Sequence, residues 1–226
     1  MENRKLAGRE IPAIGLGCMN LSHAYGTPPS DAESIALLHS ALDLGVTHLD
    51  TAALYGFGKN EQLLGKALKG KRQNVFLASK CGMTGVDGKR VIDGRPQTLT
   101  ATIEQSLRHL QTDVLDLYYL HRWDRSVPIE ESVGALSRMV EEGKIKAIGL
   151  SEVSAATIQK AHEVHAIAAV QSEYSLWSRN VEIAVLDKCR ELDIALVAFS
   201  PLARGFLSGD ITDSGAIADG DIRKGM

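Results

Sequence analysis

Short apolar runs alternate with amphipathic stretches along nearly the whole chain, about 30 residues apart, which is the length of one strand-plus-helix unit. No other feature of these 226 residues limits the fold as much. The apolar runs are AIGLGCM, ending near Gly17 and Cys18, then VTHLD to Asp50, NVFLASK to Lys80, DVLDLYYLH to His121, IKAIGLS to Ser151, IAAVQ to Gln171 and IALVAFS to Ser200. Between them lie helical patterns. SDAESIALLHSALDLG has a capping Ser30, first-turn acids and a stop at Gly45; it is followed by KNEQLLGKAL, TLTATIEQSLRHL, IEESVGALSRMVEEGK, ATIQKAHEVH and NVEIAVLDKCRELD. Strand after helix with right-handed crossovers gives a parallel sheet, and a run this long and regular favours a closed barrel over an open doubly wound sheet. The rival dinucleotide-binding fold needs GxGxxG between the first strand and a helix, whereas IGLGCMN supplies only GLG followed by a loop. The predicted class is α/β, a (β/α)8 barrel with about seven βα units in this chain, forming a single domain over 1–226. KLAGREIP predicts an N-terminal hairpin capping one end. CGMTGVDGKRVIDGRPQ, with its Gly, Asp and Pro, predicts a long loop.

Composition limits the partners. A formal charge of -3 gives no electrostatic footprint for nucleic acid or an anionic membrane, which leaves small molecules. No apolar run approaches a membrane span, and MENRKLAGREIP lacks a signal peptide's apolar segment, so a cytoplasmic location is expected. Cys18, Cys81 and Cys189 are few and widely spaced, as for reduced thiols that pack. The seven histidines show no metal-ligand spacing, so no metal is expected. His109, His162 and His165 fall in helices, as surface or packing residues.

In a parallel barrel the residues that end neighbouring strands face one bowl, so Asp50, Lys80 and His121 would meet there, with Tyr55 in the loop above. The chemistry of that group is coherent. A phenol near pKa 10 is a poor acid at neutral pH, and a nearby ammonium lowers its pKa; Asp50 would hold Lys80 in place. A histidine beside them can orient a carbonyl. The group suits protonation of an oxygen while a hydride reaches the carbon, and the hydride must come from a cofactor. Trp123, just past His121, is a candidate for the substrate mouth or for packing at the rim, while Arg122 and Arg125 are expected to be solvated loop charges.

Six stretches, LDTAALYG, LASK, LYYLH, IGLSE, VQSEYSLW and FSPLARGFLSG, resemble the aldo-keto reductases in order and spacing. The resemblance covers nearly the whole chain. It implies an NADPH-dependent reductase of aldehyde or ketone carbonyls, with Asp50, Tyr55, Lys80 and His121 as the catalytic tetrad and Tyr55 as proton donor. It also implies that Ser151 and Gln171 hold the nicotinamide carboxamide and that Phe199 stacks on its ring. Ser200, Pro201, Leu202 and Arg204 then lie near the pyrophosphate, and Gly17, Cys18, Met19 and Asp50 complete the cofactor set. Glu152 stands where Asn is common in the family, and Phe199 where Tyr is usual. The VQSEYSLW and FSPLARGFL forms are similar to bacterial and plant members that reduce aldehydes. The alternative is a cofactor-binding regulatory subunit of the same fold with little turnover. Because only seven strands are counted, the eighth is expected to end close to or beyond Met226. SGDITDSGAIADGDIRKGM is expected to be a loop, with apolar edges left exposed at 14–16 and 195–197.

Overall fold

The computed structural model describes residues 1–86, 89–209, 211–213, 215 and 217–225. Two short strands, β1 (Asn3–Leu6) and β2 (Arg9–Pro12), form the expected antiparallel hairpin. The chain then alternates through β3 (Leu16–Gly17), α1 (Asp31–Asp43), β4 (His48–Asp50), α2 (Lys59–Ala67) and β5 (Phe76–Cys81). A second hairpin follows, β6 (Met83–Val86) and β7 (Lys89–Ile92), and the alternation resumes with α3 (Pro96–Leu110), β8 (Leu117–Leu120) and α4 (Ile129–Glu141). It continues with β9 (Ile148–Ser151), α5 (Ala155–Val164), β10 (Ile167–Glu173), α6 (Val185–Glu191) and β11 (Ala195–Phe199).

Seven strands form one parallel sheet in the order β11-β10-β9-β8-β5-β4-β3. With helices covering its outside, this is a nearly closed (β/α)8-type barrel. Among the described residues β3 and β11 are its two edges. The larger core lies between strands and helices, with Leu49, Leu64, Ile103, Leu136 and Ile148 fully buried. A smaller one fills the barrel interior, where Phe76, Ala78, Leu117, Tyr119, Ala147 and Ala169 meet Leu6 and Ile11 of the first hairpin. That hairpin is therefore a plug, as expected. A Cβ added at Gly149 would collide with the Tyr119 ring, so glycine is what lets this large side chain lie inside the barrel.

Local sequence explains the boundaries. Ser30 accepts from the Glu33 N–H at 3.3 Å while the Glu33 carboxylate accepts from the Ser30 N–H at 2.9 Å, a reciprocal cap that starts α1. Pro96 opens α3, where its missing N–H costs nothing. Ser154 caps α5 through the Thr157 N–H at 3.2 Å.

The structure departs from expectation in four places. The stretch expected as a long loop after Lys80 carries β6 and β7, in which Val86 pairs with Lys89. Asp-Gly between two β-prone runs is a strong hairpin signal, and the Gly and Asp content concealed it; residues 87 and 88 themselves lie outside the described set. The helix expected over NVEIAVLDKCRELD is divided into a 3-10 turn (Asn180–Ile183) and α6, with Ala184 non-helical between them. Glu182 is drawn away from the helix axis by Arg179 and by the Tyr174 hydroxyl. β10 continues past Gln171 to Glu173 because its ladder with β11 continues through Ser172 and Glu173.

The C-terminal stretch expected as loop is not wholly loop either. Residues 210, 214, 216 and 226 lie outside the described set, but Ile222–Gly225 makes a 3-10 turn. The Ile222 N–H donates to Ala24 O at 3.0 Å and the Arg223 guanidinium lies 4.7 Å from the Tyr25 ring centroid. The segment after β11 thus reaches back to the loop after β3, across the two sheet edges. Ile14 is strongly exposed at one edge, as expected, whereas Ala195, Leu196 and Val197 at the other are half-buried.

Candidate active site

β4, β5 and β8 end side by side, and the candidate group stands at their ends: Asp50 closes β4, Lys80 is next to last in β5 and His121 directly follows β8. Lys80 is fully buried on β5; its ammonium donates to Asp50 Oδ1, to Thr51 O at 2.9 Å and to the Tyr55 hydroxyl at 3.4 Å. Asp50 also accepts from Gln171 Nε2 at 2.9 Å through its second oxygen. His121 is 7% exposed, with its ring edge-on to Tyr55 at 5.8 Å between centroids. Among the described residues its Nδ1 is buried without a hydrogen-bond partner.

A strained turn places Tyr55. Gly56 and Gly58 have positive φ, and Phe57 between them has φ 52°. A Cβ on Gly56 would press the Ser22 side chain at 3.1 Å. Asn60, buried in the first turn of α2, fixes this turn to its surroundings. It accepts from Thr51 Oγ1 at 2.6 Å and donates to Cys18 O at 2.7 Å and Ser22 Oγ at 2.9 Å. The sequence signal was a polar pair, Asn60–Glu61, at a helix start, where solvent exposure is the usual reading.

The electrostatics correct one expectation. Burial pushes the Tyr55 phenol above its ordinary pKa; Lys80 pulls it down, as reasoned from the sequence, but does not outweigh the lost hydration. Burial pulls Lys80 down, yet Asp50 and Tyr55 more than offset it, so Lys80 is raised and stays charged. His121 is held well below its ordinary value by burial and then by the cations Lys80, Arg122 and Arg90. The group at neutral pH is an ammonium–carboxylate pair, a protonated phenol and a neutral imidazole.

The residues expected to hold a cofactor lie around the same rim. Ser151, which ends β9, is the register partner of Gln171, two residues before the end of β10; Ser151 Oγ accepts from Arg122 at 3.1 Å. Half-buried Phe199 ends β11, and Ser200 follows with φ 51°. Pro201 and Leu202 are exposed, and Arg204 pairs with Glu173 at 2.8 Å. Gly17 lies opposite Asp50 in the ladder, and half-buried Met19 opens a 3-10 turn. Cys18 is fully buried, with its thiol pushed up to about 12 first by burial, so it offers this rim only backbone. Its N–H already donates to Asp50 O at 2.8 Å.

Of three further residues near the site, two are packed and one, Arg122, differs from expectation. Trp123 packs against the larger core and donates its indole N–H to Val127 O at 2.9 Å, which ties down the loop after β8. Arg125 is exposed, but Arg122 is not a solvated loop charge: it is half-buried and donates to His121 O at 2.6 Å as well as to Ser151. His109 faces inward, with Nδ1 3.4 Å from the buried Glu61 carboxylate, whose other oxygen accepts from Ser79 at 2.7 Å. The sequence did not single out His23, whose ring lies 5.6 Å from that of Tyr55. Among the described residues no three His, Cys, Asp or Glu side chains group as for a metal ion, and no helix is long and apolar enough to cross a membrane.

The aldo/keto reductase family model matches residues 13–225. The chain belongs to that family. By membership this aldo-keto reductase is an NAD(P)H-dependent oxidoreductase. Similar solved structures include an aldo-keto reductase from Bacillus halodurans in its holo form, 33% identical, with a TM-score of 0.84 over 92% of this chain and 68% of that one. A glycerol dehydrogenase from Gluconobacter oxydans is 30% identical, with a TM-score of 0.90 over 99% of this chain and 70% of that one. An aldo/keto reductase from Klebsiella pneumoniae in complex with NADP and acetate is 30% identical, with a TM-score of 0.77 over 94% and 71%.

Proposed function

We propose that this aldo-keto reductase reduces the carbonyl of an aldehyde or ketone to an alcohol with NADPH, and that Tyr55 supplies the proton. The observation that carries this reading is the convergence of the buried Lys80, paired with Asp50, on a phenol that burial keeps protonated. A protonated phenol can donate to a carbonyl oxygen. The cation 3.4 Å away then stabilises the phenolate left behind, so the lysine contributes more as charge develops than before reaction. Neutral His121, with a buried nitrogen still unpartnered, can hydrogen-bond to the same oxygen and orient it.

The rim fits a nicotinamide cofactor. Ser151 and Gln171 set a hydroxyl beside a primary amide, a donor and acceptor pair suited to a carboxamide, and Phe199 ends the next strand with its ring half-accessible. Gly17 to Met19 and Ser200 to Arg204 supply the flanking loops, with the Cys18 side chain excluded. When bound, NADPH supplies the hydride that reaches the carbonyl carbon. The proton from Tyr55 completes the alcohol, and solvent restores the phenol.

Replacing Tyr55 with Phe removes only the hydroxyl. Turnover of benzaldehyde should fall about 10²-fold or more, as expected for loss of general acid catalysis. NADPH affinity, followed by tryptophan fluorescence, should be retained. Turnover at the parent rate in Tyr55→Phe refutes the assignment of the proton donor. A parent protein that binds NADPH without reducing any aldehyde is the regulatory subunit instead.

A further inference from the structure

We infer that the carbonyl substrate carries a carboxylate or comparable oxyanion, bound between Arg90 and Arg122 at the mouth beside Tyr55. The inference rests on the reading of the site as a carbonyl reductase and adds the class of substrate. A cavity of about 190 Å³ is lined by His23, Leu54, Gly56, Phe57 and Arg90. Its wall includes both sequence neighbours of Tyr55, Leu54 and Gly56, and the His23 ring 5.6 Å from that of Tyr55, so it adjoins the proposed proton donor. It holds the share of about six waters, enough for a small organic acid.

Arg90 is exposed on β7 and makes no hydrogen bond or ion pair among the described residues. Arg122, half-buried just past β8, donates among the described residues only to the uncharged oxygens of His121 and Ser151. A guanidinium partly withdrawn from water without a carboxylate in contact is costly. Asp50 is already engaged with Lys80 and Gln171, and Glu173 with Arg204. Glu152 accepts the Glu173 N–H at 2.7 Å and favours the Arg122 charge from nearby, yet does not outweigh its burial, and it forms no ion pair with Arg122 among the described residues. The two arginines act on one region: after burial, the charge of Arg90 is among the causes that lower His23, His121 and Arg122. A planar oxyanion answers both, because it accepts two parallel N–H bonds from a guanidinium.

The test compares 4-carboxybenzaldehyde with methyl 4-formylbenzoate, which is similar in shape and uncharged, using the intact protein at saturating NADPH. The acid should show a kcat/KM at least roughly tenfold higher, the scale of one hydrogen bond to a charged group, carried mainly by KM. Arg90→Gln and Arg122→Gln should each reduce the acid-to-ester ratio toward one. Equal turnover of acid and ester by the parent overturns the inference and leaves the reductase reading intact. A phosphate of the cofactor is the other anion available to these arginines. If the variants weaken NADPH binding while the ratio persists, that source is the right one and the inference is overturned. Calorimetric titration of benzoate against methyl benzoate into the NADP+-saturated protein gives a readout independent of turnover. A tenfold preference for benzoate supports the inference even if neither aldehyde is reduced, an outcome that would sink the reductase reading alone, and no preference counts against it.

Discussion

Two carboxylates, the buried Asp116 and the half-buried Asp50, lie at opposite ends of the barrel strands, and the groups around them differ in completeness. Asp116 precedes β8 at the plugged end and is 1% exposed. Its Oδ1 receives Arg9 and Lys146, both at 2.8 Å, and its Oδ2 receives Arg72 at 2.9 Å and the Leu77 N–H at 3.0 Å. The protein itself supplies a partner to each oxygen from either side. Asp50 is likewise filled, by Lys80 and Gln171, but among the described residues its neighbours are not: His121 Nδ1 is unpartnered and Arg122 touches no carboxylate. A polar cluster that is closed on itself contributes stability. One with vacancies costs stability, and it persists where an incoming molecule fills them.

The contrast can be broken from either end. The largest effect is expected from Lys80→Met, which removes the cation next to the phenol; kcat/KM for aldehyde reduction should fall about 10²-fold or more. Because Lys80 pulls the Tyr55 pKa down, its removal raises that pKa, and the alkaline limb of the pH profile, where the phenol loses its proton, should move to higher pH. An alkaline limb at the parental position argues against the pairing.

At the other end, Asp116→Ala should leave the active-site groups in place and cost about 3 kcal/mol of stability, the low end for breaking a buried pair, since two of its three cations are half-exposed. Burial pushes the Asp116 carboxyl up, but the Leu77 N–H with Lys146 and Arg72 more than offsets it, and the group is lowered. A lowered carboxyl contributes its stability above its unfolded value, near pH 4, and loses it as pH falls through the folded value. Urea denaturation should therefore show the parent–variant gap at pH 7 closing near pH 3, and a gap independent of pH would contradict the assignment.

The smallest effect sharpens the comparison at a third carboxylate. Glu61 is raised by burial, with Ser79, Ser106 and His109 opposing it. For a raised acid the sign reverses: stability is full below its unfolded value and is lost as pH rises through the folded one. Glu61→Gln should flatten that loss, so that between pH 5 and 8 the variant gains about 1 kcal/mol on the parent. Parallel stability curves would show that Glu61 does not titrate in this window.

The alternation of strands and helices was legible because it repeats: an error in one unit is corrected by the others. The positions of Asp50, Lys80 and His121 followed from strand ends, where a polar residue after an apolar run is conspicuous. What escaped had no such contrast. Arg122 sits beside Trp123, Asp124 and Arg125 in a stretch that looks solvated, and its burial depends on Ser151 29 residues away. Asn60 and Glu61 occupy a helix start, where polar residues are ordinary, and only the fold turns them inward. The net rise of the Tyr55 pKa was hidden too, because residue types reveal the neighbouring cation while the degree of dehydration depends on tertiary packing.

The Asn60 side chain has a consequence in time as well as in space. By joining Cys18, Ser22 and Thr51 through one amide, it couples three segments that the sequence keeps apart, so the loop after β3, the end of β4 and the first turn of α2 should open and close as one unit. Amide exchange across Cys18, Thr51 and Tyr55 would then follow a common rhythm, and the phenol would be delivered or withdrawn together with the wall of its own cavity.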